Sequence, residues 1–372
     1  MTKRPGRPEM KGVSTRRIAR MAGISASAVS LALAGSPRIS EATTRRVRRL
    51  AARLNYRTNP RVTELMAAVR ARRSPAPRAC FGLISLYPDP RPWEAIPHLG
   101  FIHAGMERRA AQLGYRLEPF WLREPGMTFR RMRSVLDVRG IEGLVCFGGP
   151  DPDEAFPSEL DHYAVVTVGL SLRTPMNRVT SHFYNDMLTA LERVLALGYR
   201  RPGLVLGDYE EQRCRHVHAA VYFGCCDRML PGRRPLPVLR VDGPGDPAFG
   251  RWYRRQRPDV IIFAHRHAIL MQFAQWFRER AIAIPGEVGV AALSDHLEGT
   301  GFAGLRQNQT LMGEWAVELL ASRTLHHDLS LPAHPRTEMV ESYWVDSPSL
   351  RPAPRPSLSS ANRRDLLLTD PR

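Results

Sequence analysis

Long apolar runs are missing from this chain of 372 residues. No segment approaches the roughly eighteen consecutive apolar residues that a membrane-spanning helix needs, so a membrane protein is not expected. No apolar stretch follows the basic residues at the start, which argues against an export leader and for a cytoplasmic protein. The cysteines at 80, 146, 214, 225 and 226 form no Cys-x-x-Cys pair, a usage suited to a reducing compartment. Cys214-x-His216-x-His218 alternates as ligands on a strand would, but the segment reads as helical, where that spacing sends side chains in different directions. His265-x-His267 and His326-His327 have no further ligands beside them, so neither a metal nor another cofactor is expected. A Gly-x-x-x-x-Gly-Lys loop, a His-Glu-x-x-His pair and a Gly-x-Ser-x-Gly elbow are all absent, which argues against an enzyme. Acid is scarce in the first fifth. Residues 1–75 hold Glu9, Glu41 and Glu64 against eighteen Lys and Arg, and so carry +15 of the total +18.

Positive charge gathered on one segment points to a polyanionic partner, with counterion release supplying non-specific affinity for DNA. The same segment carries the punctuation of three short helices. Ser14 stands as an N-cap before the apolar stripe Ile18, Ala19 and Ala22, and Gly23 ends that helix. Ser25 caps a second helix with Val29, Ala32 and Leu33 inward. After Ala34-Gly35-Ser36-Pro37, Ser40 caps a third helix whose Val47, Leu50, Ala51 and Leu54 close a very small core. A helix, a four-residue corner and a second helix form the helix-turn-helix motif. Arg16, Arg17, Arg45 and Arg46 are expected on backbone phosphates.

Val13-Ser14, Ile18-Ala19, Ala22-Gly23-Ile24-Ser25, Val29-Ser30, Ile39-Ser40, Thr44-Arg45, Val47, Leu54-Asn55-Tyr56 and Asn59 follow, without a gap, a signature that resembles the lactose-repressor (LacI/GalR-type) family of transcription regulators. The resemblance implies a homodimer on a palindromic operator in double-stranded DNA, with the helix after Ser25 in the major groove and a hinge helix in the minor groove. It assigns DNA contacts to Ser14, Arg16, Arg17, Ser25, Ala26, Ser27, Ala28, Ser30, Leu31 and Asn59. Leu65 falls where the family wedges an apolar side chain between base steps; the alternative is a core leucine of an ordinary linker helix. Asn59-Pro60 supplies a cap and a first-turn proline for that short segment. Ala26 to Leu31 contains no Arg, Gln or Asn for bidentate base contacts, so serine hydroxyls, apolar contacts and operator shape must carry more of the readout. Val62 and Glu64 depart from the usual hinge. Lys3-Arg4-Pro5-Gly6-Arg7-Pro8 resembles a minor-groove hook, with a plain basic end as the alternative.

From Phe81 short apolar runs alternate with amphipathic stretches, the pattern of a parallel α/β fold. Strands are expected at 81–87, 116–121, 143–147, 164–169, 203–207, 236–241, 260–264 and 288–293, and helices at 101–113 and 187–197, each stopped by a glycine. About 270 residues of this kind suit two doubly wound sheets. The family resemblance extends more loosely here, through Asn185, Leu197-Gly198-Tyr199-Arg200-Arg201, Gly203 to Leu206, Ile284 to Val288 and Gly304 to Asn308. It implies a core similar to periplasmic sugar-binding proteins, with an effector held between two lobes.

Open parallel sheets bind ligands outside the carboxyl ends of their strands. This nominates Tyr87, Trp121, Phe147, Asp208, Arg213, His265, Asp295 and Gln307 for a small-molecule effector, a mixture suited to a sugar. Ser294 stands where the family has a sugar-gripping aspartate, and Arg213, Arg215 and His216 compete for the arginine expected after Leu206. The expected organisation is a basic arm (1–13), a DNA-binding head (14–59), a hinge helix (60–73), a two-lobed core (79–345) and a flexible tail (346–372). The expected function is an effector-controlled transcription repressor; control by a protein partner in place of a metabolite is the alternative.

Overall fold

The computed structural model describes residues 15–33, 39–54, 56, 79–151 and 153–352. Three helices come first: α1 (Thr15–Ala22), α2 (Ala26–Leu33) and α3 (Glu41–Arg53). Gly23 adopts φ +64, a left-handed conformation that costs glycine little. Its N–H donates to Arg20 O (3.4 Å) and that of Ile24 to Ala19 O (3.1 Å), the paired bonds of a Schellman stop. Ser25 Oγ accepts from Ala28 N at 3.1 Å and Ser40 Oγ from Thr43 N at 3.3 Å, so the caps expected for α2 and α3 are in use. The buried side chains are Ile18, Ala19, Ala22, Val29, Ala32, Val47 and Ala51, with Leu33, Leu50 and Leu54 packed at their edge.

The rest of the chain builds two six-stranded sheets. The first contains β1 (Cys80–Ser85), β2 (Arg116–Trp121), β3 (Gly143–Phe147), β4 (Ala164–Val168), β5 (Asn177–Ser181) and β11 (Thr337–Val340), in the order β11-β5-β4-β3-β1-β2. The second contains β6 (Pro202–Leu206), β7 (Leu239–Arg240), β8 (Val260–Ala264), β9 (Gly289–Ser294), β10 (Ala303–Arg306) and β12 (Tyr343–Val345), in the order β12-β10-β9-β8-β6-β7. The pairs from β1 to β5 and from β6 to β10 are parallel, while β12 runs antiparallel to β10. Each sheet therefore reverses strand order beside its first strand, which is where doubly wound folds open a crevice.

Helices α4 (Pro92–Ala95), α5 (Pro97–Leu113) and α6 (Phe129–Val138) belong to the first unit, together with α12 (Gln309–Leu325) from Thr310 onward. The second unit carries α7 (Phe183–Ala196), α8 (Asp208–Arg213), α9 (Val217–Met229), α10 (Pro247–Gln256) and α11 (His267–Glu279). The chain passes between units after Val179, Gln309 and Glu338. Alternation along the strands of the second sheet builds two cores. Leu204, Leu206, Ile262 and Ala264 face α7 and α9, whereas Val205, Ile261 and Phe263 face Phe249, Trp252, Phe273 and Phe277 of α10 and α11.

Three expectations change. Strands β5, β10, β11 and β12 were not expected, and the strand expected over 236–241 shrinks to Leu239–Arg240. Cys214, His216 and His218 do not share a helix, because Arg215 (φ 56) and His216 (φ 60) turn the chain between α8 and α9. Part of the expected tail is docked: Ser349 Oγ donates to Val290 O (2.7 Å) and accepts from Ala303 N (2.7 Å). Leu350 is buried in the core beneath α7 and α9. Arg351 N donates to Tyr199 Oη at 2.9 Å.

Candidate nucleic-acid interface and strand-end sites

Arg17, Arg20, Arg45, Arg46, Arg48, Arg49 and Arg53 are all exposed on the head, and Glu41 is the acid among its described residues. Glu41 pairs with Arg45 one turn on, at 3.1 Å. Arg46, expected on phosphate, donates through Nη2 to Ala22 O at 2.7 Å. It thereby satisfies a carbonyl left over at the end of α1, a local structural use of its charge. Ser25 spends an oxygen lone pair on the cap of α2 while remaining exposed. Ala28 and Leu31 are half-buried on α2, which also carries Ala26, Ser27 and Ser30, and Arg16 lies on α1. Ser14, Asn59, Leu65, the basic arm and the hinge segment lie outside the described residues.

At the strand ends of the first sheet, Tyr87 is buried and its carbonyl accepts from Trp121 Nε1 at 2.9 Å. Phe147 is buried too, its ring 6.1 Å from Trp93, which stacks on His103 at 4.6 Å. Burial lowers the His103 pKa, against the pull of Glu107 and Glu94. Beside them Arg123 donates to Leu86 O at 2.5 Å and to Glu154 at 2.6 Å. The other Glu154 oxygen accepts from Gly149 N at 3.0 Å. An ion pair thus covers the ends of β1 and β3.

The second sheet carries a similar device. Arg266 Nε meets Glu210 at 2.6 Å, and the Tyr209 ring lies under both Arg266 and Arg213, at 5.5 and 5.4 Å. Arg213 also donates to Tyr209 Oη at 2.9 Å, while Asp208 faces Arg240 at 3.5 Å. His265, 3 % exposed, bonds through Nε2 to Val241 O at 2.8 Å, and its buried Nδ1 has no hydrogen-bond partner among the described residues. Burial lowers its pKa, which favours the neutral ring. Asp295 Oδ1 accepts from Ser294 Oγ (2.9 Å) and from His267 N (3.0 Å), so it caps α11. Gln307 N donates to Ser294 O at 3.0 Å. The nominated residues therefore gather as two sets, Tyr87, Trp121 and Phe147 in one unit and Asp208, Arg213, His265, Asp295 and Gln307 in the other.

Sequence reasoning missed a buried ionisable cluster beside the second set. His218 Nδ1 and Glu211 Oε2 are 3.1 Å apart, and Ala219 N donates to Glu211 Oε1 at 3.0 Å. Burial alone would raise the Glu211 pKa, but these bonds and the His218 charge hold it below the ordinary value. Asp186 on α7 joins them electrostatically, and its burial lifts the carboxyl to about 6. At the rim, Glu341 bonds His182 Nδ1 (2.9 Å) and Asn185 Nδ2 (2.7 Å). Scattered over 160 positions, these residues have no spacing signal. Among the described residues, no group of three or more His, Cys, Asp or Glu is placed to hold a metal ion, and no helix is long and apolar enough to cross a membrane.

Residues 16–59 match the lacI family of bacterial regulatory proteins, as the signature in the head implied. No curated protein sequence matches the chain. Solved structures share its fold. One is a complex of the transcriptional regulator CelR with cellobiose, 18 % identical, with a TM-score of 0.57 and 91 % of this chain and 99 % of that one covered. A second is a lac repressor dimer bound to operator and the anti-inducer ONPF, 15 % identical, with a TM-score of 0.53 and coverage of 92 and 100 %. A third is the transcription regulator CcpA of Lactococcus lactis, 10 % identical, with a TM-score of 0.52 and coverage of 74 and 100 %. At these identities the likeness is one of fold.

Proposed function

We propose that the chain is a sequence-specific DNA-binding transcription regulator, a repressor, which acts in the cytoplasm as a homodimer on palindromic operator half-sites and has no catalytic role. The observation that carries this reading is the head: a helix-turn-helix with exposed arginines over residues that match the lacI family. Residues 1–13 then serve as a basic arm, 14–59 as the DNA reader and 60–73 as a hinge helix, with Leu65 as the wedge between base steps. Residues from 79 form the effector-binding and dimerisation core.

The effector in this reading is a small molecule, a sugar or related metabolite, taken up by residues at the carboxyl ends of the strands. The cellobiose and ONPF bound in two similar structures support that class. Binding shifts the balance between DNA-competent and DNA-incompetent states only by its difference in affinity for the two. A second reading, control by a protein partner, draws support from the ion pairs Arg123–Glu154 and Arg266–Glu210, which already occupy the strand ends. Gel retardation of genomic fragments at low salt, with and without a metabolite panel, tests both. Retardation relieved or enhanced by a metabolite is expected; retardation that no metabolite changes favours the partner, and no retardation removes the proposal. Leu65→Ala should weaken operator binding and reduce the bend angle. If affinity and bend both survive, Leu65 is a linker core residue.

A further inference from the structure

A groove of about 680 Å³ runs between α7 and α9 on the second unit. Its walls are mostly apolar: Leu188, Val217, Val221, Cys225 and Met229, with Tyr184 at its side. Tyr184 is 52 % exposed and Phe223, on α9, 43 %. Apolar side chains in this number on an open face mark a docking surface, since each gains by leaving water.

Where the described chain ends says what covers it. Leu350 enters the core beneath α7 and α9, and Arg351 is held at Tyr199, just past the end of α7. Residues 353–372 follow, outside the described residues, and their one apolar run is Leu366-Leu367-Leu368. Thirteen residues separate Pro352 from Leu366, enough to reach ~45 Å when extended. The thirteen-residue α9 is ~20 Å long, so the run can reach any part of the groove. Charge agrees as well. Glu192 and Arg228 line the groove together with Cys225, and the leucines are flanked by Arg363, Arg364 and Asp365.

We propose that the C-terminal segment of the chain folds back on its own second unit and seats Leu366–Leu368 in the α7–α9 groove. Cys225, in the groove wall, reports on occupancy. In the 372-residue chain carrying Leu367→Cys, mild oxidation should join position 367 to Cys225 within one chain, seen as a cross-linked peptide from material of monomer mass. Truncation after Pro352 should raise the rate of Cys225 modification by a thiol reagent roughly tenfold, as expected when a site that is open about a tenth of the time becomes fully open. An unchanged rate overturns the proposal. So does a cross-link found only between two chains, which would assign the groove to a second copy, or no cross-link at all. Neither readout involves DNA, so failure here leaves the proposed regulator intact.

Discussion

Replacing Asp186 by Asn should stabilise the second unit at neutral pH, and the gain should fade in acid. Asp186 is 2 % exposed. Burial raises its carboxyl from 3.8 to about 6, helped by Glu341 and opposed by Ser342, His218 and His182. With a raised pKa, the folded state binds more protons than the unfolded one between these two values, so through this group stability increases as the pH falls from 7. At ~1.36 kcal/mol per unit, the ionised carboxylate costs the fold about 3 kcal/mol at pH 7. Roughly half of that cost is relieved by pH 5, and most of it by pH 4. Asparagine carries no charge at any of these pH values, so the variant should exceed the wild type by about 3 kcal/mol at pH 7 and converge on it near pH 4. Urea titrations of both proteins across this range, followed by tryptophan fluorescence, measure the difference directly, and histidines remote from Asp186 cancel. A gap that does not vary with pH, or a variant weaker than the wild type at pH 7, would refute the reasoning.

The head offers further tests. Arg17→Ala should lower affinity for operator and random DNA alike and reduce the slope of log K against log salt by about 0.9, as loss of one phosphate contact does; an unchanged slope would place Arg17 away from DNA. Arg46→Ala should act on folding, because its guanidinium satisfies Ala22 O, with a loss of about 1 kcal/mol in head stability by thermal denaturation. Ser40→Ala should cost about 1 kcal/mol by the same measurement, through loss of the α3 cap.

The elements most legible in the sequence were those specified by local chemistry. Gly23, Ser25 and Ser40 mark helix ends through their own backbone and hydroxyl groups, and Ile18, Val29 and Val47 meet because helical spacing puts them on inward faces. Strands such as Gly143–Phe147 and Val260–Ala264 are buried along their whole length, so continuous apolar runs reveal them. Asn177–Ser181 is buried as well, yet it reads as polar. Its Arg178 donates to the carbonyls of Leu172 and Thr174, partners that only the fold supplies. The corner at Arg215 and His216 gave no signal, since neither residue is one that turns normally require. The strand-end residues were placed by a general rule about sheets. What they bond was not legible, because Asp295 turns to His267 N and Trp121 to Tyr87 O, partners distant in the sequence.

The head's buried cluster is four alanines, two valines and one isoleucine, far less oil than either sheet encloses. A module so thinly filled is expected to melt before the sheet that carries Phe263. Warming by a few degrees then changes how many heads are intact before it touches anything else. In the proposed regulator, heat alone then loosens the hold on DNA, with no metabolite present.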